Sequence, residues 1–119
     1  MNRERVIGDA KAVALSRART GYHAPPRRTA VPVGGADLFA VLSLGVHLAW
    51  RAGRLSDHDA LIGRTLARIL SGGDLPHATT VSEDHLLDLE REAFLSLCGQ
   101  PKTLERIGYT LKTGKTLRN

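Results

Sequence analysis

The stretch SEDHLLDLEREAFLSLCGQP, residues 82–101, contains the start and the end of one helix and the start of the next. Ser82 is a typical N-cap residue, because its hydroxyl can accept a hydrogen bond from a backbone N–H of the first turn. Gly99 is typical of a helix end, and Pro101 suits a first helical position, where a missing N–H costs nothing. The stretch therefore predicts a helix that ends at Cys98 and another that begins at Pro101.

Two further helices are predicted before this stretch. Ser56 and Asp59 have the spacing of a capping box, with Asp in place of the usual Glu or Gln, and they predict the start of a helix. Its expected buried stripe consists of four apolar residues: Ile62, Leu66, Ile69 and Leu70. Asp37 predicts the cap of an earlier helix that ends near Ala52. Because apolar residues surround nearly all of that helix, we expect it to form the centre of the core.

The N-terminal part of the chain is predicted to stand apart from the rest. Residues 1–22 form one helix, and residues 23–35, with three prolines and two glycines, form an extended linker and not a strand pair. Residues 71–81 are predicted to be a loop, and residues 36–119 form a helical domain. The expected fold is all-α with about five helices, four of them in a compact bundle after the linker.

Composition limits the class of protein. A chain of 119 residues can bury one modest core, and 42% apolar and 24% charged residues are ordinary for a globular protein. The single cysteine, Cys98, fits a reducing compartment. The longest apolar stretch, residues 36–50, is shorter than the roughly 20 residues of a membrane span, and no secretory leader is visible. We therefore expect a cytoplasmic protein without a membrane partner.

The charge distribution argues against nucleic acid as a partner. Residues 1–28 carry 7 Lys and Arg against 2 Asp and Glu, residues 29–100 carry 5 against 9, and residues 101–119 carry 5 against 1. Basic ends can pair with the acidic middle or with another protein surface as easily as with phosphates. The chain also has few aromatic residues on which bases could stack. Nucleic-acid binding is therefore a minority interpretation.

No catalytic, cofactor-binding or metal site is predicted. The closing segment GYTLKTGKTLRN resembles a phosphate-binding loop, but Gly108 and Gly114 are separated by five residues instead of four, and only three residues follow Thr116. The five histidines include no pair at helical i, i+4 spacing with an adjacent carboxylate, and Cys98 has no second thiol. No sequence feature marks a catalytic nucleophile.

Glu90 occupies the one chemically unusual position. At helical spacing it falls among the apolar residues of its helix: Leu86, Ala93, Phe94 and Leu97. One interpretation is a structural carboxylate that is met by an arginine such as Arg91 or Arg106, or by backbone N–H groups. The alternative is a general base held in an apolar pocket. We favour the structural role, because catalysis would need a second titratable group in the same pocket and none is evident.

A long motif in the last third of the chain carries a family resemblance. Its parts are Glu-Arg-Glu-Ala-Phe at 90–94, Ser-Leu at 96–97, Gly99, Lys-Thr at 102–103, Leu-Lys-Thr-Gly-Lys at 111–115 and a final Leu-Arg-Asn. This pattern resembles the closing segment of the long bacterial multifunctional 3-hydroxyacyl-CoA dehydrogenases, which also carry an enoyl-CoA hydratase region and act in fatty-acid β-oxidation. The chain departs from the family at Tyr109-Thr110, where His-Met is usual, and at Thr116, where Pro is usual. The likeness extends back to the first helix and covers nearly the whole chain.

The resemblance implies a helical region without an active site. The residues of that family that bind NAD and perform both reactions lie in other parts of the enzyme, and none of their motifs occurs in this chain. By the same resemblance, residues 1–22 correspond to the last helix of a crotonase-like hydratase region. The expected partners are the rest of the enzyme or another subunit, and a second copy of the chain is also possible. A free-standing helical interaction module is the alternative, and a small basic nucleic-acid-binding protein is the weaker one.

Overall fold

The structure of the chain is a computed structural model that describes residues 5–119. Within them lie five helices and a two-stranded sheet, so the predicted mostly helical fold with five helices is confirmed. In chain order the elements are α1 Val6–Arg19, β1 Val31–Val33, α2 Gly35–Arg51, α3 Asp57–Leu70, β2 Thr79–Val81, α4 Glu83–Cys98 and α5 Pro101–Thr113. The main contacts between helices join consecutive ones, α2 to α3, α3 to α4 and α4 to α5.

The start signals of the last three helices and the end of α4 are where the sequence predicted them. The Ser56 hydroxyl accepts a hydrogen bond from the Asp59 backbone N–H, and the Asp59 carboxylate accepts one from the Ser56 N–H, each at 3.1 Å. The Ser82 hydroxyl accepts a hydrogen bond from the His85 backbone N–H. Pro101 is the first residue of α5, and Gly114 ends that helix with a φ of 68°. Side-chain caps therefore mark where α3 and α4 begin, and Pro101 marks the start of α5.

Replacing Ser56 with Ala is expected to lower the free energy of unfolding by about 1 kcal/mol, because the capping box loses its hydroxyl acceptor. Urea unfolding followed by circular dichroism measures this change. Ser96→Ala provides the control, since Ser96 lies exposed in the last turns of α4 and should change stability by less than about 0.5 kcal/mol. Equal midpoints for the two variants would contradict the capping role.

The predicted linker contains a strand, which corrects the prediction of an extended segment without strand pairing. Val31 pairs with Val81 and Val33 with Thr79, in antiparallel register. Pro32 is tolerated because both strands of a two-stranded sheet are edge strands. Three residues are too few to show the alternation by which strands are recognised in a sequence. The sheet joins the segment before α2 to the segment before α4.

Helix α2 begins three residues earlier than predicted, and Gly34, not Asp37, is its N-cap residue. Gly35 has a φ of 59°, and its backbone N–H donates to the Ser71 carbonyl at 3.0 Å. A Cβ atom at this position would lie 2.4 Å from the backbone carbonyl oxygen of His77. Glycine is therefore required here by both the backbone angle and the close approach of another segment.

Helix α3 buries a different face from the predicted one. Leu66 and Leu70 are exposed, and the small residues Ala60 and Ala67 are buried instead. Gly63 lies on the same face at helical spacing, and a Cβ atom there would be 3.0 Å from Val46 of α2. The two helices approach closely through this small-residue face, which leaves the larger apolar residues of α3 to point elsewhere.

Helix α2 does not form the centre of a core. Val41, Leu44 and Leu48 recur at helical spacing, and their side chains are 67%, 57% and 58% exposed. We call these three residues the α2 outer stripe. Helix α1 contains no buried residue. The helix that is apolar on nearly all sides is thus covered on only part of its surface.

Candidate functional site

An apolar groove runs between α3 and α4. It consists of two adjoining hollows of about 430 and 370 Å³, both lined by Leu66, Ile69, Leu87 and Glu90. The first hollow extends towards the C-terminal part of α4, where Phe94 and Leu97 line it. The second extends towards the start of α4 and includes Glu83 and Leu86. This α3–α4 groove is where the large apolar residues of α3 lie, since its small-residue face is occupied by α2.

Glu90 lies in the middle of the α3–α4 groove, among the apolar residues that the sequence indicated. Its side chain is exposed, however, so the expected burial is not seen. The two arginines proposed as its partners bind elsewhere: Arg91 pairs with Asp88 at 2.7 Å and Arg106 with Asp59 at 2.8 Å. Within residues 5–119 no cation forms a salt bridge with Glu90. The structural role of Glu90 stays a prediction.

A polar joint connects α3, α5 and the end of the chain. The Arg106 guanidinium donates to the Asp59 carboxylate at 2.8 Å and to the Asn119 side-chain oxygen at 2.8 Å. The side-chain amide of Asn119 donates in turn to the Lys102 carbonyl at 3.2 Å and to the Glu105 carboxylate at 2.7 Å. The sequence analysis identified Asp59 only as a cap residue and did not find the joint, since its members are far apart in sequence.

The capping box and the polar joint together lower the pKa of Asp59. The backbone N–H of Ser56 donates to its carboxylate and favours the charged form, and the Arg106 guanidinium adds a second hydrogen bond and its positive charge. Because the pKa in the folded state lies below that in the unfolded state, ionised Asp59 stabilises the fold at any pH above its unfolded pKa of about 3.9. This stabilisation is lost as the pH falls through the lower, folded-state pKa.

The resulting expectation is a loss of stability in acid. The Asp59 contribution to the free energy of unfolding should be constant from neutral pH to about pH 5 and should fall below about pH 4. Thermal unfolding at a series of pH values, with the parent and Asp59→Asn chains side by side, measures that contribution as the difference between the two curves. A difference that stays constant down to pH 2 would contradict the lowered pKa.

Three of the five histidines contact other residues of the chain through their rings. His58 is 4% exposed, and its Nε2 lies 3.0 Å from the Thr103 hydroxyl of α5. Nε2 of His85 lies 2.9 Å from the Gly72 carbonyl oxygen. The ring of His47 lies 5.6 Å from that of Trp50. In the described part of the chain, no group of three or more His, Cys, Asp or Glu side chains is placed to hold a metal ion.

The segment that resembled a phosphate-binding loop is part of α5 and its end. Gly108 lies inside the helix, and Gly114 has the left-handed conformation that commonly ends helices. Its backbone N–H donates to the Thr110 carbonyl at 2.8 Å and so faces the helix that it ends. The segment therefore lacks the loop followed by a helix that cradles a phosphate.

Part of the basic N-terminal region pairs with the acidic middle of the chain, one of the possibilities left open by the charge distribution. Arg27 forms an ion pair with Asp84. Next to it, the Arg28 backbone N–H donates to the Glu83 carboxylate at 3.0 Å, and the Glu83 N–H donates to the Arg28 carbonyl at 2.9 Å. These contacts attach the first half of the predicted linker to the start of α4.

None of the described helices combines the length and the apolar content that crossing a membrane requires. The geometry thus gives a helical polypeptide in which polar side chains hold helix ends together, while apolar residues of α2, α3 and α4 remain uncovered. These features are typical of a region that packs against further protein surface.

Comparison with known proteins identifies a relative. Over all 119 residues the chain is 41% identical to a probable 3-hydroxyacyl-CoA dehydrogenase of Bacillus subtilis (strain 168). The chain spans 15% of the length of that relative. The chain is therefore similar to a region of a 3-hydroxyacyl-CoA dehydrogenase, which confirms that part of the resemblance found in the sequence. No protein-family model and no solved structure matches the chain.

Proposed function

We propose that the chain acts as a non-catalytic, C-terminal helical region of a cytoplasmic 3-hydroxyacyl-CoA dehydrogenase and enoyl-CoA hydratase of fatty-acid β-oxidation. Its role is to pack against the catalytic regions or against another subunit. NAD would bind to those catalytic regions and not to this chain. The proposal is supported by the 41% identity over the whole chain and by the large apolar surface that the helices leave open.

We infer the packing role from the large solvent-accessible surface area of the chain. The accessible surface of the chain is 9253 Å². A compact monomer of 12.9 kDa has about 6,300 Å². Leu89 is the largest side chain among the five buried hydrophobic residues of the described chain, while eighteen large hydrophobic residues are exposed. Apolar exposure on this scale is typical of a surface that packs against another protein surface.

The α2 outer stripe is the surface that we assign to this packing. Val41, Leu44 and Leu48 form a continuous row along the helix, each more than half exposed. The opposite side of α2 faces α3, where Val46 meets Gly63. Covering the row would bury three large aliphatic side chains, each contributing about 1.5–3 kcal/mol when fully buried.

A chimeric enzyme tests the proposal. The region of the Bacillus subtilis relative that aligns with the chain is replaced by the chain, and NAD-dependent oxidation of a 3-hydroxyacyl-CoA is measured. We expect an active chimera that melts within a few degrees of the unmodified relative. The isolated chain, assayed alone with the same substrates, should show no turnover. An inactive or insoluble chimera would contradict the proposal, and turnover by the isolated chain would contradict its non-catalytic part.

A pair of variants in the chimera tests the assigned surface. Leu44→Asp places a charge in the α2 outer stripe and should destabilise the chimera or prevent its assembly, because that charge would be buried without a partner. Arg64→Asp introduces the same residue at an exposed polar position of α3 and should leave the chimera unchanged. If both variants behave alike, the α2 outer stripe does not form the packing surface.

A further inference from the structure

Helices α1 and α4 carry opposite net charges. Residues 5–19 contain four Lys and Arg and one Asp, whereas residues 83–98 contain five Asp and Glu and one Arg. The acidic helix forms one wall of the α3–α4 groove, and the basic helix has no buried residue. A basic helix and an acidic helix in one chain are electrostatically complementary.

Helix α1 and the α3–α4 groove are also similar in length. Helix α1 has 14 residues and is about 21 Å long. The groove follows α4 from Glu83 to Leu97, which is about the same length. On one side of α1, the exposed residues Val6, Ile7 and Val13 form an apolar arc. Alanines at positions 10 and 14 lie between them, so the backbone of α1 could approach the groove closely.

The charges that line the groove are not balanced within the chain. Three charged residues line it, Glu83, Glu90 and Arg91, and Arg91 forms its salt bridge with Asp88. Glu90, in the middle of the groove, forms none with the residues that the structure describes. An apolar helix that covered the groove would remove water from this carboxylate, which is costly unless the helix also brings a cation. The occupant of the groove should therefore carry a positive charge on its apolar side.

Arg17 has this position on α1. At helical spacing it falls in the apolar arc, in line with Val6, Ala10 and Val13. Its guanidinium lies over the Tyr22 ring at 5.7 Å and forms no salt bridge within residues 5–119. Leu15 lies on nearly the opposite side of the helix and does not belong to the arc. A docked α1 would thus bring one arginine to the carboxylate in the groove.

We propose that α1 of one copy of the chain lies in the α3–α4 groove of a second copy, with Arg17 beside Glu90, in a reciprocal dimer. Helix α1 has no buried residue and takes part in none of the main contacts between helices, and the radius of gyration of the chain is 19.3 Å against about 13.5 Å for a compact chain of this length. Exchange of such an element between two copies gives a closed, symmetric pair. This dimer uses α1 and the α3–α4 groove, so its test does not depend on the proposed function.

Sedimentation equilibrium of the full chain, over a concentration series at low salt, tests the dimer. We expect a species of about twice 12.9 kDa, with dissociation favoured by added salt. Ile7→Asp should weaken the dimer at least about tenfold in Kd, because it places a charge in the apolar arc. Leu15→Asp is the matched control and should leave Kd unchanged. A chain that stays monomeric at every concentration would overturn the proposal, and so would equal Kd values for the two variants.

Charge reversal distinguishes exchange between copies from docking of α1 within one chain. Arg17→Glu and Glu90→Arg should each weaken their own homodimer at least about tenfold in Kd. When the two variants are mixed, every contact between α1 and the groove in the heterodimer again joins opposite charges, so we expect dimers to return. A mixture that remains monomeric would overturn the proposal. Both positions are exposed, so circular dichroism of each variant should show the unchanged helical fold.

Discussion

Replacing Gly35 with Ala is expected to lower the free energy of unfolding by about 3 kcal/mol, the largest effect that we expect from a substitution in the isolated chain. The backbone at Gly35 has a φ of 59°, which strains any residue with a Cβ atom. That atom would also lie 2.4 Å from the His77 carbonyl oxygen and 2.6 Å from its carbonyl carbon. Both are backbone atoms, so the segment that leads into β2 must move. Urea unfolding at one fixed protein concentration measures the change.

The Gly53→Ala variant separates the cost of the positive φ angle from the cost of the close contact with His77. Gly53 has a φ of 70°, but a Cβ atom there meets nothing within 4 Å. This variant should therefore show only the backbone cost, about 1 kcal/mol. The difference between the two variants gives the effect of the close approach to His77. If Gly35→Ala is no more destabilising than Gly53→Ala, the segments before α2 and β2 do not lie as closely as described.

Replacing Arg106 with Ala should lower the free energy of unfolding by about 2 kcal/mol, the second largest effect that we expect. The Arg106 and Asp59 side chains are 21% and 19% exposed, so their pair is partly shielded from water. Loss of the guanidinium leaves the Asp59 carboxylate and the Asn119 side-chain oxygen without their donor. Urea unfolding again measures the change.

A double-mutant cycle with Asp59→Asn assigns the effect to the pair. The asparagine keeps an oxygen that can accept the Ser56 N–H, so the cycle removes the charge but keeps the cap. We expect a coupling energy of about 1 kcal/mol between the two positions. Arg64→Ala, at an exposed arginine of α3, is the control and should be nearly neutral. Additive effects of Arg106→Ala and Asp59→Asn would contradict a direct interaction.

The parts of the fold that the sequence predicted are those determined by nearby residues. Ser56, Ser82 and Pro101 act on the backbone within one turn, so their helices begin where the pattern indicated. The start of α2 was not predicted, because it depends on the contacts of Gly35 with residues that lie about 40 positions away. Strands β1 and β2 were missed for a related reason, since each is defined by its partner and not by its own pattern.

The candidate site shows the same limit. The sequence placed Glu90 correctly among apolar residues of α4, because that inference needs only helical spacing. The sequence could not show that this face of α4 is exposed to solvent, because that exposure depends on which face of α3 packs against α2. Ala60, Gly63 and Ala67 determine which face is used, because these small residues allow α3 to approach α2 closely. Arg106, which the sequence suggested as a partner for Glu90, lies instead in the polar joint with Asp59.

The pairing of β1 with β2 also has a consequence for the order of folding. Each of α3, α4 and α5 packs on its predecessor, and such local contacts have a low contact order and form rapidly. Val31 and Val81, in contrast, are roughly 50 residues apart in sequence, so their pairing must close a long loop at an entropic cost. The strands therefore gain partners only after the helices between them have shortened that loop. On this view the six-residue sheet is the last element to form, and its formation adds a link between the segments before α2 and α4 to the helix contacts already made.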